Sequence, residues 1–224
     1  FIKIPGTKEG LPAIEEAIFA GVPINVTLLF SRVQYVAAAE AYLRGIERRI
    51  TAGLNPDVGS VASIFISRWD VAVANRAPEA LRNKLGITVA GRIYNAYLDL
   101  LNNPRWQRAY NSGARPQRLL WASTGTKDPK ASDILYITTL AAPFTVNTMP
   151  EGTLQAFADH GEIGPIMAAQ GGDGEKVLGR FAKAGIDIDA LGAQLQEEGA
   201  ESFVKSWNDL LDCIASKSKA LKAA

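Results

Sequence analysis

Short apolar runs alternate with longer amphipathic stretches along the chain, and this alternation predicts strands separated by helices. The clearest helix covers 31–53, where Ser31 is placed to cap the N-terminus and Gly53 to end the C-terminus. Further helices are predicted over 7–21, 88–110, 132–141 and 198–221, with a glycine-rich break over 170–175. Strands are predicted over 1–5, 23–30, 60–67, 118–123 and 145–149. This alternation predicts a parallel sheet in a single α/β domain that covers 1–224.

Polar residues lie on one face of several otherwise apolar strands. Because side chains alternate with a period of two, Asn25 and Thr27 share one face of their strand, and Ser63 lies on one face of the next. Lys3 is placed in the same way within "FIKIP". An open doubly wound sheet and part of a (β/α)8 barrel both fit the element order. Polar side chains that project from strands towards a common axis favour the barrel, whose active site lies at the C-terminal mouth.

The composition is that of an ordinary soluble globular protein, with 47% hydrophobic and 21% charged residues. The net charge of +1 provides no strong field to attract nucleic acid or an anionic membrane, so neither partner is expected. No apolar run approaches the ~20 residues that span a bilayer. The only cysteine, Cys213, fits a reducing, cytoplasmic setting, and we expect it to be a small core residue of the C-terminal helix.

Lys3 has two interpretations. At an exposed strand edge, its stem would lie on apolar surface and its ammonium group in water. Inside a closed barrel, burial would free the amine as a nucleophile, because desolvation lowers the pKa of a lysine. Such an amine attacks a ketone or aldehyde to form a carbinolamine and then a Schiff base. The flanking isoleucines and the following turn "PGTKEG" favour the second interpretation.

Other polar residues are candidates for substrate contacts. Asn25 and Ser63 could hydrogen-bond a substrate hydroxyl, and Thr27 could hold a catalytic water, although each alone could also serve packing. Arg68 follows the third strand and Lys127 lies in the loop after the fourth, where both could bind a phosphate or remain solvated surface charges. The only histidine, His160, is expected to have a structural or solvent-facing role. The sequence contains no Cys/His metal spacing, P-loop or GxGxxG motif.

An ordered set of motifs resembles the transaldolase family. "IKIPGT" and "INVTLLFS" are similar to the family's Schiff-base region, and "SVASIFISRWD", "RLLWASTGTKDP" and "LYITTLAAPFTVNTMPEGTLQAF" are similar to its later strands. The resemblance points to the subfamily that is sometimes fused to a phosphoglucose isomerase domain. It implies a TIM-type (β/α)8 barrel that transfers a dihydroxyacetone unit between sugar phosphates in the pentose phosphate pathway, with no cofactor and no metal.

The resemblance also implies individual roles. Lys3 matches the Schiff-base lysine, Asn25 and Thr27 match the family's asparagine and water-associated threonine, and Ser63 and Arg68 match its substrate serine and phosphate-binding arginine. The family's second phosphate-binding arginine has no direct counterpart. Lys127 lies in that loop and is our substitute.

The main departure from the family's pattern concerns the first strands of the barrel. The family's lysine lies on the fourth strand, so this chain would supply about the last five strands plus the C-terminal helices, without the acidic residues of the earlier strands. We therefore expect the chain alone to be weakly active or inactive. Either an N-terminal fragment or a second copy completes the barrel, or the chain is a cleaved or truncated piece. A class I aldolase acting on a sugar phosphate and a non-catalytic sugar-phosphate-binding fragment are the alternative functions.

Overall fold

A parallel sheet forms the centre of the computed structural model, which describes residues 1–168 and 173–223. Each strand pairs in parallel with the next strand along the chain. A doubly wound sheet would reverse its strand order, whereas this sequential order is compatible with a TIM-type barrel. The five predicted strands are confirmed. They are Ile2–Pro5 (β1), Ile24–Leu29 (β2), Ser60–Phe65 (β3), Arg118–Ala122 (β4) and Thr145–Asn147 (β5).

Helices connect the strands and continue beyond the last one. The best-defined start is that of α2, where Ser31 Oγ accepts from Gln34 N–H and the Gln34 side chain accepts from Ser31 N–H, a reciprocal capping box. The helices are Gly10–Phe19 (α1), Arg32–Thr51 (α2), Ser67–Val73 (α3), Leu85–Asn102 (α4), Pro104–Asn111 (α5), Leu135–Thr139 (α6), Glu151–His160 (α7), Gly174–Lys183 (α8) and Ile188–Ala223 (α9), with a short 3-10 helix at Glu79–Leu81.

Several predicted boundaries were wrong. The helix expected over 88–110 is two helices, because Pro104 begins a new helix with Asn103 as its N-cap. The strand expected to reach Ser67 ends at Phe65, and Ser67 begins α3. The C-terminal helix begins at Ile188, since the Asp187 carboxylate accepts from two backbone N–H groups of its first turn. The glycine-rich break predicted over 170–175 lies partly outside the described residues.

One face of the sheet is buried in the core. Ile24 and Val26 of β2 and Ala62 and Ile64 of β3 are fully buried, together with side chains of α1 and α2. The members of each pair are two positions apart along the strand, so the one residue between them points to the opposite face. The core is therefore built on one side of the sheet, and Lys3, Asn25, Thr27 and Ser63 lie on the other.

The long helix α9 divides into two parts. Leu191 and Leu195 are buried against the body, whereas the side chains over 201–221 are exposed. Cys213 is exposed, so the prediction that it is a core residue was wrong. The same part of α9, over 201–221, also exposes apolar side chains to solvent. In the ranges described, no helix combines the length and the apolarity that crossing a membrane requires.

Candidate functional site

The strand register places the predicted site residues of β1, β2 and β3 on one face of the sheet. Lys3 lies opposite Asn25, and Asn25 lies opposite Val61, two residues before Ser63. Residues in register point to the same face, as do residues two apart along a strand. Lys3, Asn25, Thr27 and Ser63 thus form what we call the polar face.

A hydrogen bond joins two members of the polar face. Ser63 Oγ donates to Asn25 Oδ1 at 2.7 Å. Ser63 is buried and Asn25 half-buried. With its oxygen engaged by Ser63, the Asn25 amide keeps its two Nδ2 hydrogens for another acceptor, such as a substrate hydroxyl.

Lys3 is exposed, and this corrects the expectation that it is buried. It lies on β1, which pairs only with β2 among the described residues. The neighbouring Phe1 and Ile2 are also exposed, at 69% and 60%. The burial that would activate the amine is therefore not provided by the described part of the chain.

Thr27 combines burial with a free hydroxyl. It is 2% exposed, and its Oγ1 has no hydrogen-bond partner within the described ranges. Buried hydroxyl groups are normally hydrogen-bonded, so an unpartnered one marks a position that can bind a water or a ligand atom. The next residue, Leu28, has a φ of 59°, and the register between β2 and β3 is irregular from Val26 to Leu29. The backbone beside this hydroxyl is locally strained.

Arg68 is held at the end of β3 by an aromatic ring. It lies in the first turn of α3, and its guanidinium carbon is 5.0 Å from the centre of the Phe65 ring. This cation–π contact orients the side chain. Phe65 is two residues after Ser63 on the same strand, so the ring belongs to the same side of the sheet as the polar face.

Lys127 lies in a different environment. It is exposed and lines a cleft of about 350 Å³ together with Ser67, Asp70 and Tyr136, and Arg68 does not line that cleft. The structure therefore does not bring Lys127 and Arg68 into one cavity. A joint phosphate clamp by these two residues is not formed in the described arrangement.

Beside this cleft, the buried carboxylate of Asp70 is hydrogen-bonded to other parts of the fold. Asp70 accepts hydrogen bonds from Leu85 N–H at 2.9 Å, Gly86 N–H at 3.2 Å and the Tyr136 hydroxyl at 2.8 Å. Burial raises the pKa of Asp70, and these three hydrogen bonds act in the opposite direction. The carboxylate caps the start of α4, and it lies on a helix instead of facing Lys3.

Three contributors to the site were not predicted from the sequence. Phe65 orients Arg68, and Gln196 and Gly199 of α9 approach the ends of β1 and β2. Gln196 is 190 residues from Gly6, whose carbonyl it contacts. A local sequence pattern cannot indicate a contact between residues so far apart along the chain. Among the described residues, no group of three or more His, Cys, Asp or Glu side chains is placed to bind a metal.

Comparison with known proteins finds one family and several relatives that match this chain. The family described as Transaldolase/Fructose-6-phosphate aldolase matches residues 1–214. A transaldolase of Parafrankia sp. (strain EAN1pec) is 46% identical over 96% of this chain and 60% of its own length. Transaldolases of Thermobifida fusca (strain YX) and Mycolicibacterium smegmatis (strain ATCC 700084 / mc(2)155) are each 44% identical, over 96% and 99% of this chain and 61% and 62% of their own lengths.

The chain thus spans about 60% of the length of the curated relatives it matches. The family match, in contrast, covers nearly the whole chain, from the strand of Lys3 into α9. The chain belongs to the Transaldolase/Fructose-6-phosphate aldolase family.

Proposed function

We propose that this chain carries the Schiff-base part of a transaldolase, which transfers a dihydroxyacetone unit from a ketose phosphate to an aldose phosphate. The observation that carries the proposal is the polar face, on which Lys3 is in register with Asn25 and Asn25 is bonded to Ser63. The relatives that match 96% of the chain are named transaldolase.

The chemistry begins at the Lys3 amine. Its nitrogen attacks the C2 carbonyl of the ketose, and loss of water gives an iminium ion. The C3–C4 bond then breaks as the C4 hydroxyl loses its proton, and the bonding electrons move into the iminium to form an enamine. An aldose phosphate leaves, the enamine carbon attacks the acceptor aldehyde, and water releases the product and the free amine.

The other predicted residues have supporting roles in this scheme. Asn25 Nδ2 donates to a substrate hydroxyl, Ser63 holds that amide, and Thr27 Oγ1 positions the water that forms or cleaves the imine. Arg68 binds the phosphate beside Phe65. Lys127 lines a separate cleft that Arg68 does not line, so it has no part in this scheme. The electron sink in this scheme is the iminium, so it involves no metal and no cofactor.

The architecture is part of the same proposal. We infer that the chain supplies about the last five strands of a (β/α)8 barrel, with its C-terminal helices, in the subfamily sometimes fused to a phosphoglucose isomerase domain. The sequential strand order and the exposure of β1 support this inference. An N-terminal fragment or a second copy that pairs with β1 would bury Lys3. Sugar phosphates are the proposed substrates and the cytoplasm the proposed setting.

Borohydride trapping tests the proposal. The chain is incubated with fructose 6-phosphate, reduced, digested and analysed by tandem mass spectrometry. We expect a dihydroxyacetone adduct on the Lys3 side chain after long incubation, because trapping accumulates the product of slow imine formation and so detects a weakly active chain. Lys3→Ala should abolish the adduct, while Lys8→Ala, which removes another exposed lysine, should retain it.

The alternatives give different results in the same assay. Turnover that an acceptor aldose phosphate does not accelerate would favour a class I aldolase. A folded chain that binds fructose 6-phosphate and forms no adduct would favour a non-catalytic sugar-phosphate-binding fragment. An adduct that persists in Lys3→Ala would overturn the assignment of the nucleophile.

A further inference from the structure

One side chain of α9 bridges the C-terminal ends of β1 and β2. Gln196 Nε2 donates to Gly6 O at 3.1 Å and to Leu28 O at 2.9 Å. Both distances are within the usual range for N–H···O bonds. Gly6 directly follows β1, and Leu28 directly follows Thr27 on β2. The two hydrogens of one amide thus join the strand of Lys3 to the strand of Thr27.

The bridged backbone needs external support. Gly6 N–H donates to Thr27 O at 2.8 Å, which is the backbone contact between these strand ends. Leu28 has a positive φ of 59°, a conformation that a leucine keeps only when its surroundings hold it. The Gln196 bond to Leu28 O is one such restraint. Losing it would free the residue next to the unpartnered Thr27 hydroxyl.

A second residue of α9 sets how closely the helix approaches. Gly199 lies three residues after Gln196 and therefore on the same side of the helix. A Cβ at this position would be 2.8 Å from Leu28 Cδ2 and 3.4 Å from Arg68 Nη1. The helix can lie against both side chains because residue 199 has none. Any larger residue would displace Leu28 and crowd the Arg68 guanidinium.

We infer that Gln196 and Gly199 are positioning residues of the proposed site. Gln196 fixes the spacing between the strand ends that carry Lys3 and Thr27, and Gly199 allows Arg68 to take its place over Phe65. The inference rests on the proposed function for its catalytic consequence. The mechanical part, the link between α9 and the strand ends, can be measured without any substrate.

Amide hydrogen exchange tests the link in the full chain. Gln196→Met keeps the length of the side chain and removes its donors, and we expect exchange at Gly6 N–H to become about tenfold faster. Exchange at Ile66 N–H, which bonds Ala122 O at the far β3–β4 pair, should not change. Gln194→Met is the matched control, because Gln194 is exposed on the same helix and its side-chain amide donates to Glu198 of that helix instead of to a strand. Unchanged exchange at Gly6 in Gln196→Met would overturn the inference.

Adduct formation tests the catalytic consequence. Gln196→Met should slow adduct formation at Lys3 about tenfold at saturating substrate, with fructose 6-phosphate and with free dihydroxyacetone alike. Gly199→Ala should raise the half-saturating concentration of fructose 6-phosphate about tenfold and leave that of dihydroxyacetone unchanged, because only the former carries a phosphate for Arg68. Gly179→Ala on α8 is the control, since a Cβ there meets no atom within 4 Å.

The outcomes are distinguishable. Faster exchange at Gly6 with unaltered adduct rates would reduce Gln196 to a structural contact and overturn its positioning role. Equal effects of Gly199→Ala on both substrates would overturn the specific link to Arg68. If the unaltered chain forms no adduct, the proposed function fails, and the exchange measurement still decides whether Gln196 fixes the strand ends.

Discussion

Ser63 Oγ donates a 2.7 Å hydrogen bond to Asn25 Oδ1, and this bond determines which way the Asn25 amide points. Since the oxygen is engaged by Ser63, the Nδ2 group is the part that remains for a partner on the polar face. Asn25 is in register with Lys3, so both side chains leave neighbouring strands on the same face of the sheet. The Ser63–Asn25 pair therefore presents a hydrogen-bond donor of fixed orientation on the face of the sheet that carries Lys3.

Ser63→Ala should release that orientation. We expect a loss of about 1 kcal/mol in the free energy of unfolding, as for one hydrogen bond, and an adduct rate at Lys3 lower by a factor of about ten. Denaturant unfolding and borohydride trapping measure the two effects.

The matched control lies on the same strand and the opposite face. Ser60 Oγ donates to Ile24 O and accepts from Gln117 Nε2, both buried. Ser60→Ala should therefore cost about 1–3 kcal/mol in stability without slowing trapping at Lys3. Equal trapping rates in Ser63→Ala and the unaltered chain would mean that the Asn25 orientation has no part in the reaction.

Thr27→Val should slow imine trapping without lowering the free energy of unfolding. The Thr27 hydroxyl is buried without a partner in the described ranges, so replacing it with a methyl group removes an unsatisfied polar atom. The free energy of unfolding should stay the same or rise by about 1 kcal/mol. Imine trapping should nevertheless become slower, because the proposed water loses its hydrogen-bond partner. A stability loss above about 1 kcal/mol would show that Oγ1 is already satisfied in the folded chain.

The strands and the shared face of Asn25, Thr27 and Ser63 could be predicted because they depend on local periodicity. A period of two fixes which residues share a face, and apolar runs fix where strands lie. Helix boundaries were less accurate where a single residue decides them. Pro104 divides one predicted helix, and the Asp187 cap starts α9 earlier than expected.

Contacts between distant segments could not be predicted. The bridge from Gln196 to Gly6 joins residues 190 apart. The contact between Phe65 and Arg68 is local, but it depends on the direction in which α3 leaves β3, and strand periodicity does not indicate that direction. The exposure of Lys3 is a similar case. Flanking isoleucines indicate an apolar environment, but burial depends on which element pairs with β1, and the described residues supply only β2.

Asp70→Ala should destabilise the fold strongly. It leaves two backbone N–H groups at the start of α4 and the Tyr136 hydroxyl without their common acceptor, at an expected cost of about 3 kcal/mol in the free energy of unfolding. Asp99→Ala is the control, because Asp99 is an exposed acid on α4 and should change stability by less than about 0.5 kcal/mol. Chemical denaturation measures both. Similar midpoints and slopes for the two variants would contradict the capping role.

His160 should titrate above the ordinary range of a histidine. Its Nε2 lies 3.0 Å from Asp133 Oδ1, and its Nδ1 lies 3.3 Å from Asp159 Oδ2. The hydrogen bond with Asp133 has the larger effect and that with Asp159 the smaller, and both raise the pKa of His160 above 6.5. Since the folded pKa is the higher one, the added stability is fully present below the unfolded pKa and is lost as the pH rises through the folded pKa. His160 is the only histidine, so its ring signals in an NMR titration are unambiguous. Asp133→Asn should lower the measured pKa more than Asp159→Asn does, and an unaltered chain that titrates at or below 6.5 would refute both contacts.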